Sequence, residues 1–259
     1  MHWRHMSYLT ANRLSINIGK TEILRVGYRL GKAVDDTLAL EAVDSKGDQI
    51  RPHEDCRLLG VRLSRDLKWT NHIHTDEAAI MKRITKRLSA LKFVGKFIEK
   101  SRKVVLANGL INSLIVYGIQ LWGIGATKSQ LRMIQTLQNQ AGKWALGVGR
   151  YTSTDKALKR LNWLSVRQLV VFHSLMLLWK QCRCETDFMT DDLNWESSRT
   201  MGTERLRSKP YKMEFRRNSW KYRTFAWWNL MPETLRTQKS LTRFRSGLKV
   251  WIMEYFPIK

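Results

Sequence analysis

Cysteine is scarce in this chain: three of 259 residues, Cys56, Cys182 and Cys184. An odd count with one short Cys-x-Cys gives no disulfide framework and points to a reducing, intracellular compartment, without choosing between nucleus and cytoplasm. Zinc is poorly served as well. Cys182 and Cys184 have no second pair at ligand spacing, and His173 lies well upstream. The opening "MHWRHMSYLTANR" has no apolar run of signal-peptide length, and the chain shows no internal repeat. Acidic residues are the most telling shortage: 22 Asp and Glu stand against 46 Lys and Arg, a formal net charge of +24. Self-repulsion on that scale opposes a compact state and implies a polyanionic partner. Nucleic acid is the first choice; an anionic membrane surface is the rival.

A glycine is missing where one class of enzyme would need it. "SINIGKTEIL", residues 15 to 24, holds a Gly-Lys-Thr, as a phosphate-binding loop does. That loop needs a second glycine five residues before the Gly19 that precedes the lysine, so that backbone N–H groups wrap the phosphates. The position is Leu14, which argues against a nucleotide hydrolase.

What is present fits a globular protein with a core. Hydrophobic residues make up 43% of the chain, and eleven tryptophans serve either that core or base stacking. Between Lys103 and Lys128 no residue is charged, a length that spans a bilayer. Asn108, Asn112, Ser113 and Gln120 interrupt it, and both flanks are basic. A helix buried in a protein core is therefore preferred, with a membrane contact through residues 104–126 as the weaker alternative.

Residues 2–14 read as a helix, and the β-branched, alternating runs over 21–64 as a small antiparallel sheet with a hairpin turn at "SKGD". Beyond Leu67 the pattern turns helical. Ile80, Ile84, Leu88 and Leu91 form one apolar stripe, with Lys82, Arg83, Lys86 and Arg87 mostly off it. Ser101 reads as the N-cap of the uncharged helix. Thr127 with Gln130 and Ser165 with Gln168 read as capping boxes opening helices near 128–146 and 166–182. A short helix fits 153–161. Residues 183–218 are polar and aperiodic, a long loop, and Leu241, Phe244, Leu248 and Trp251 mark a terminal amphipathic helix. The fold class expected is α+β, mostly α.

Taken in order, these segments resemble the C-terminal part of a reverse transcriptase from non-LTR (LINE-type, Jockey-like) retrotransposons. "YLTANRLSINIGKTEIL" is similar to that family's segment closing the palm, with Asn12, Leu14, Asn17, Lys20 and Thr21 matching and Tyr8 in place of the usual tryptophan. "CRLLGVRLSRDLKWTNHI" is similar to the hairpin that grips the primer. "SLIVYGIQLWG" resembles the thumb helix with its Tyr-Gly and Trp-Gly. "LNWLSVRQ" and "WWNLMPETLRTQKSLTRFRSGLK" resemble two later landmarks, with Met231 in place of leucine. The resemblance runs from residue 8 to about 250.

The resemblance implies a palm edge over 1–70, a helical thumb-like domain over 71–182, the polar loop 183–218 and a basic aromatic helical segment over 219–259. Lys20 is then the lysine near the incoming nucleotide's phosphates, and Leu59 and Gly60 belong to the primer grip. A glycine without Cβ also lets a primer strand approach the sheet closely.

The family's chemistry is RNA-directed DNA synthesis with magnesium held by clustered carboxylates. Those come from a Phe/Tyr-Ala-Asp-Asp strand and an earlier aspartate, both upstream of the matching segments. Asp35-Asp36 and Asp191-Asp192 are the only adjacent aspartates here; both sit in turn-like contexts, and neighbours on a strand point to opposite faces. The expectation is a chain without catalytic residues or a metal of its own, inactive alone, that binds RNA, DNA or an RNA–DNA hybrid and possesses a face for the palm and fingers.

Nine cations, Lys82, Arg83, Lys86, Arg87, Lys92, Lys96, Lys100, Arg102 and Lys103, crowd one helix and its turn against Glu99 alone. A second group, Arg216, Arg217, Lys221, Arg223, Arg243, Arg245 and Lys249, is interleaved with Trp220, Tyr222 and Trp227. Phosphates bind such surfaces without sequence preference. Helical spacing assigns Trp227, Trp228 and Trp251 to the core rather than to base stacking. A non-catalytic scaffold binding protein or membrane is the alternative, to be favoured by an exposed apolar face on helix 104–122.

Overall fold

The computed structural model describes residues 11–13, 22–24, 26, 52–183, 195–196, 205–206 and 219–256. The expected helix over 2–14, apart from residues 11–13, the turn at 45–48, Lys20, the two Asp-Asp pairs, Cys184, Arg216 and Arg217 lie outside them. The fold is α+β and mostly α, with its strands concentrated near the N-terminus. The chain divides into two compact units, residues 1–72 and 73–259.

The first unit holds β1 (Ile23–Leu24), β2 (Pro52–His53), β3 (Asp55–Leu58) and β4 (Val61–Ser64). β3 and β4 form an antiparallel hairpin with Cys56 opposite Leu63 and Leu58 opposite Val61. β1 and β2 pair in parallel over two residues, so the described strands are not all antiparallel as their alternation suggests. A two-residue pairing carries too little side-chain pattern to fix direction.

The second unit begins with α1 (Ile80–Val94), whose buried residues are the four of the stripe, Ile80, Ile84, Leu88 and Leu91. A 3-10 turn, Gly95–Phe97, leads into α2 (Lys100–Ala107). Glu99, not Ser101, occupies the cap position of α2, and no side chain caps it. The uncharged run is then not one helix. A π-helical turn (Asn108–Asn112) precedes α3 (Ser113–Val116), Gly118 takes a left-handed φ of 62°, and α4 (Ile119–Gly125) leaves at 61° to the preceding helical segment. Glycine alone makes that reversal without a Cβ penalty. The Trp122 indole N–H donates to the Tyr117 carbonyl at 3.0 Å and satisfies one group freed by the break. Among the described residues no single helix is long and apolar enough to cross a membrane; this bent pair reaches the length and composition only together.

α5 (Lys128–Leu146) opens on a complete capping box, Thr127 with Gln130, and ends at Gly147 in the left-handed conformation. α6 (Thr154–Arg160) follows, then α7 (Val166–Arg183), where Ser165 and Gln168 exchange the same reciprocal bonds. Two short strands, β5 (Trp195–Glu196) and β6 (Arg205–Leu206), pair antiparallel inside the stretch that the sequence marks as loop. α8 (Trp220–Leu230), α9 (Glu233–Arg236) and α10 (Leu241–Tyr255) complete the unit.

α7 is apolar on most sides because it is the central post. It packs against α4, α8 and α10. Leu175, Leu178, Trp179, Phe225, Trp228, Phe244, Leu248 and Trp251 form one core. The sequence sets 219–259 apart from the helices before it; here α8 and α10 share the core of α7. Buried Leu206 joins that core, and the Asn229 side chain brackets it. Asn229 Oδ1 accepts from the Leu206 N–H at 2.9 Å, and its Nδ2 donates to the Leu206 carbonyl at 2.8 Å.

Candidate nucleic-acid interface

Burial of the Ile80–Leu91 stripe forces the other side of α1 outward. Lys82, Lys86 and Phe93, at i, i+4 and i+11, share the exposed face opposite the stripe. Lys96 is exposed in the 3-10 turn, and Lys100 and Arg102 are exposed on the first turn of α2. Among the described residues, Glu99 is the one carboxylate within ion-pair distance of the nine cations, 3.9 Å from Arg102 Nε.

The remaining polar contacts are to neutral groups. Lys82 Nζ donates to the Thr75 carbonyl at 2.9 Å, and Lys92 Nζ to Gln140 Oε1 at 3.4 Å. Half-buried Arg87 donates through Nη1 to the Leu110 carbonyl at 3.0 Å, in the π-helical turn. Such contacts position the side chains and leave their charge uncompensated.

Trp144 is the pivot of this surface. A Cβ on Gly95 would lie 2.6 Å from Trp144 Nε1, so only glycine lets the end of α1 close on α5. Lys103 Nζ stands 5.7 Å from the Trp144 ring centroid, and Lys100 Cε lies 4.0 Å from the position of a Cβ on Gly147. The C-terminal end of α1 and the N-terminal turn of α2 therefore meet the C-terminal end of α5. There Lys143 Nζ donates to the Arg150 carbonyl at 2.6 Å. Arg83 stays half-buried on the flank of α1.

The hairpin of the first unit carries Leu59 and Gly60, the residues that the resemblance assigns to a primer grip, at its tip. Leu59 and Gly60 have φ of 48° and 81°, both left-handed. Two positive values define the tight hairpin turn that favours Asn-Gly. Leucine there is strained by about 1 kcal/mol, and its side chain is 82% exposed. The rest of the motif serves the hairpin. Arg62 makes a two-bond ion pair with Asp55 at 2.9 and 3.0 Å, and its backbone N–H donates to His72 Nδ1 at 3.3 Å. The Asp66 carboxyl is held down at about 2, first by the Lys68 backbone N–H and then by the Ser64 hydroxyl. Substituting Leu59→Asn is expected to stabilise the hairpin by about 0.5–1 kcal/mol in urea titration. If the exposed leucine touches nucleic acid, affinity falls in the same variant.

The second basic group behaves differently. Lys221 is half-buried, with Nζ 5.8 Å from the Phe225 ring centroid. Lys249 Nζ donates to the Asn162 carbonyl at 2.8 Å, and burial followed by the Arg245 charge lowers its pKa. Arg223, Arg243 and Arg245 are exposed. Trp228 and Trp251 are buried, and half-buried Trp220 and Trp227 pack on the same core.

Burial, then the Arg245 charge, lowers the His173 pKa from the ordinary 6.5. The unfolded chain takes up this proton more readily than the folded one. Stability is therefore fully present above 6.5 and falls as pH drops from there toward the folded value. Urea midpoints measured from pH 8 to pH 5 should show that loss, smaller in His173→Gln and reduced in Arg245→Gln.

Three residues of the surface are not legible as sites from composition: Phe93, Phe97 and Tyr151, with 76%, 79% and 87% of their surface exposed. The available signal is position, since Phe93 falls on the lysine side of the α1 periodicity. No cluster of three metal-ligating side chains occurs among the described residues, and Cys56 and Cys182 take part in no disulfide. No protein-family model, curated protein or solved structure matches the chain.

Proposed function

We propose that this chain is the thumb-side part of a non-LTR retrotransposon reverse transcriptase and that it holds template–primer nucleic acid by the phosphate backbone without catalysing synthesis. The observation that supports it is the surface of α1, the 3-10 turn and α2, where nine cations share one carboxylate. Helices packed behind a buried stripe keep those charges fixed. A surface rich in cations binds polyanion without sequence preference. Magnesium and the catalytic carboxylates belong, in this reading, to the palm of the parent enzyme. Leu59 and Gly60, at the strained hairpin tip, are the primer-grip residues, and Lys20 stands near the incoming nucleotide.

The test is a salt series on RNA–DNA hybrid, DNA duplex and RNA duplex. Engaging roughly six phosphates gives a slope near −5 for log affinity against log salt on duplex DNA. The hybrid should bind at least as well as DNA duplex, and base sequence should matter little. A slope near zero would remove the proposal.

A second reading, a non-catalytic scaffold, has one observation in its favour: Val105, Leu110, Tyr117 and Leu121 are exposed apolar residues along the bent helical run. It requires binding to protein or to vesicles that persists at high salt, where counterions have screened the lysines.

A further inference from the structure

Resting on the nucleic-acid reading, we infer that Phe93, Phe97 and Tyr151 stack on unpaired bases, which adds a site for single-stranded nucleic acid at this end of the thumb-side unit.

A soluble protein seldom leaves three rings this bare among cations. Phe93 lies in the last turn of α1 and Phe97 ends the 3-10 turn, about 6–8 Å further along the axis. Tyr151 follows Arg150 in the loop after α5. Trp144 ties these pieces together through Gly95 on one side and the end of α5 on the other.

Each of two rings has its own cation. Lys96 Nζ lies 5.0 Å from the Phe97 centroid, and the Arg150 guanidinium 4.7 Å from that of Tyr151. A nucleotide presents a flat apolar base and a phosphate a short distance away. A ring with an adjacent cation matches both parts of that unit.

The charge decides between occupants. Glu99, ion-paired to Arg102, is the one carboxylate in reach of these α1–α2 cations among the described residues. A protein partner would have to bury uncompensated lysines along with the rings. A duplex satisfies the lysines but hides its base faces from side stacking. A single strand satisfies both, so rings and cations act together only on unpaired nucleic acid.

The experiment compares the full chain with a Phe93→Ala/Phe97→Ala variant and with Tyr151→Ala. Probes are a fluorescent oligo-dT, an abasic strand of the same length and a blunt DNA duplex, each over a salt series. For the double variant, oligo-dT affinity should fall at least about tenfold, with the slope against log salt unchanged. Tyr151→Ala should lower it in the same direction. Duplex affinity should stay within twofold. Wild-type chain should bind the abasic strand as weakly as the variant binds oligo-dT, a comparison that needs no mutation to fold.

Equal losses on duplex and single strand, or no loss on oligo-dT, overturn this inference while leaving phosphate binding intact. Loss of self-association in the alanine variants with unchanged nucleic-acid affinity assigns the rings to a second copy and also overturns it. Failure of wild-type chain to bind any probe is instead the failure of the proposed function beneath it.

Discussion

Lys82→Glu together with Lys86→Glu is expected to flatten the salt dependence of duplex binding from a slope near −5 to about −3, and to weaken all sequences alike. Each lost phosphate contact removes about 0.9 from the slope. At about 0.1 M salt, two such contacts correspond to one to two orders of magnitude in affinity. Both side chains are exposed on the face of α1 opposite the buried stripe, so reversal leaves the packing of Ile80, Ile84, Leu88 and Leu91 intact. The Lys82 bond to the Thr75 carbonyl is lost, a small cost at an exposed site. Fluorescence anisotropy over a salt series reads the slope, and a thermal melt checks the fold. An unchanged slope in a folded variant would mean that α1 does not meet phosphates.

Phe244→Ala is expected to have the largest effect on stability, a loss of about 3–5 kcal/mol. The ring is buried and stacks on Trp179 with centroids 5.3 Å apart and planes at 17°; it also meets Trp228 at 6.3 Å. Marginal domains hold only about 5–15 kcal/mol in total, so much of that reserve goes. The informative readout is which amides lose protection from hydrogen exchange. Because α7, α8 and α10 share one core, α7 should lose protection together with the C-terminal helices. If α7 kept full protection while α8 and α10 opened, the C-terminal segment would be an independent unit, as the sequence alone suggests.

How much was legible depends on how local the cause is. The stripe on α1 and both capping boxes depend on residues within a few positions of one another, and the structure has them where periodicity and spacing put them. Their reasons are the repeat of a helix and the reach of a Thr or Ser side chain to the third residue on. The bend in the uncharged run was not legible. Its sequence is uncharged throughout, and what changes along it is the neighbour: α2 packs on α5 before the bend and α4 on α7 after it. A Cβ on Gly123 would meet Val170 Cγ2 at 2.5 Å, a constraint set by a residue 47 positions away (170 − 123). The strained tip of the hairpin was hidden for another reason, since leucine gives no sign of a left-handed backbone.

The landmark segments acquire structural reasons of their own. Trp122 is fully buried and bonded to Tyr117, and "LNWLSVRQ" is a junction. In it the Leu164 carbonyl accepts from Gln138 at 3.0 Å, and Gln168 Nε2 donates to the Phe256 carbonyl at 2.6 Å. These contacts explain the residues by packing. Of the candidate site, the basic charge was readable from composition, whereas the exposed rings required knowing which side of α1 faces out.

On the proposed nucleic-acid reading, the lone carboxylate found beside the α1 and α2 cations among the described residues gives dissolved salt two opposite effects on this chain. Lysines and arginines held on adjacent helices repel one another, and mobile anions relieve that repulsion, so ionic strength supports the folded state. The same anions would compete with phosphate, so ionic strength would dissolve the proposed complex. Bound nucleic acid would escape the conflict, because it would supply the anions itself and favour only the folded chain. The proposed ligand would thus also be the counterion atmosphere, and the conditions that best preserve the free protein would be those under which it binds least.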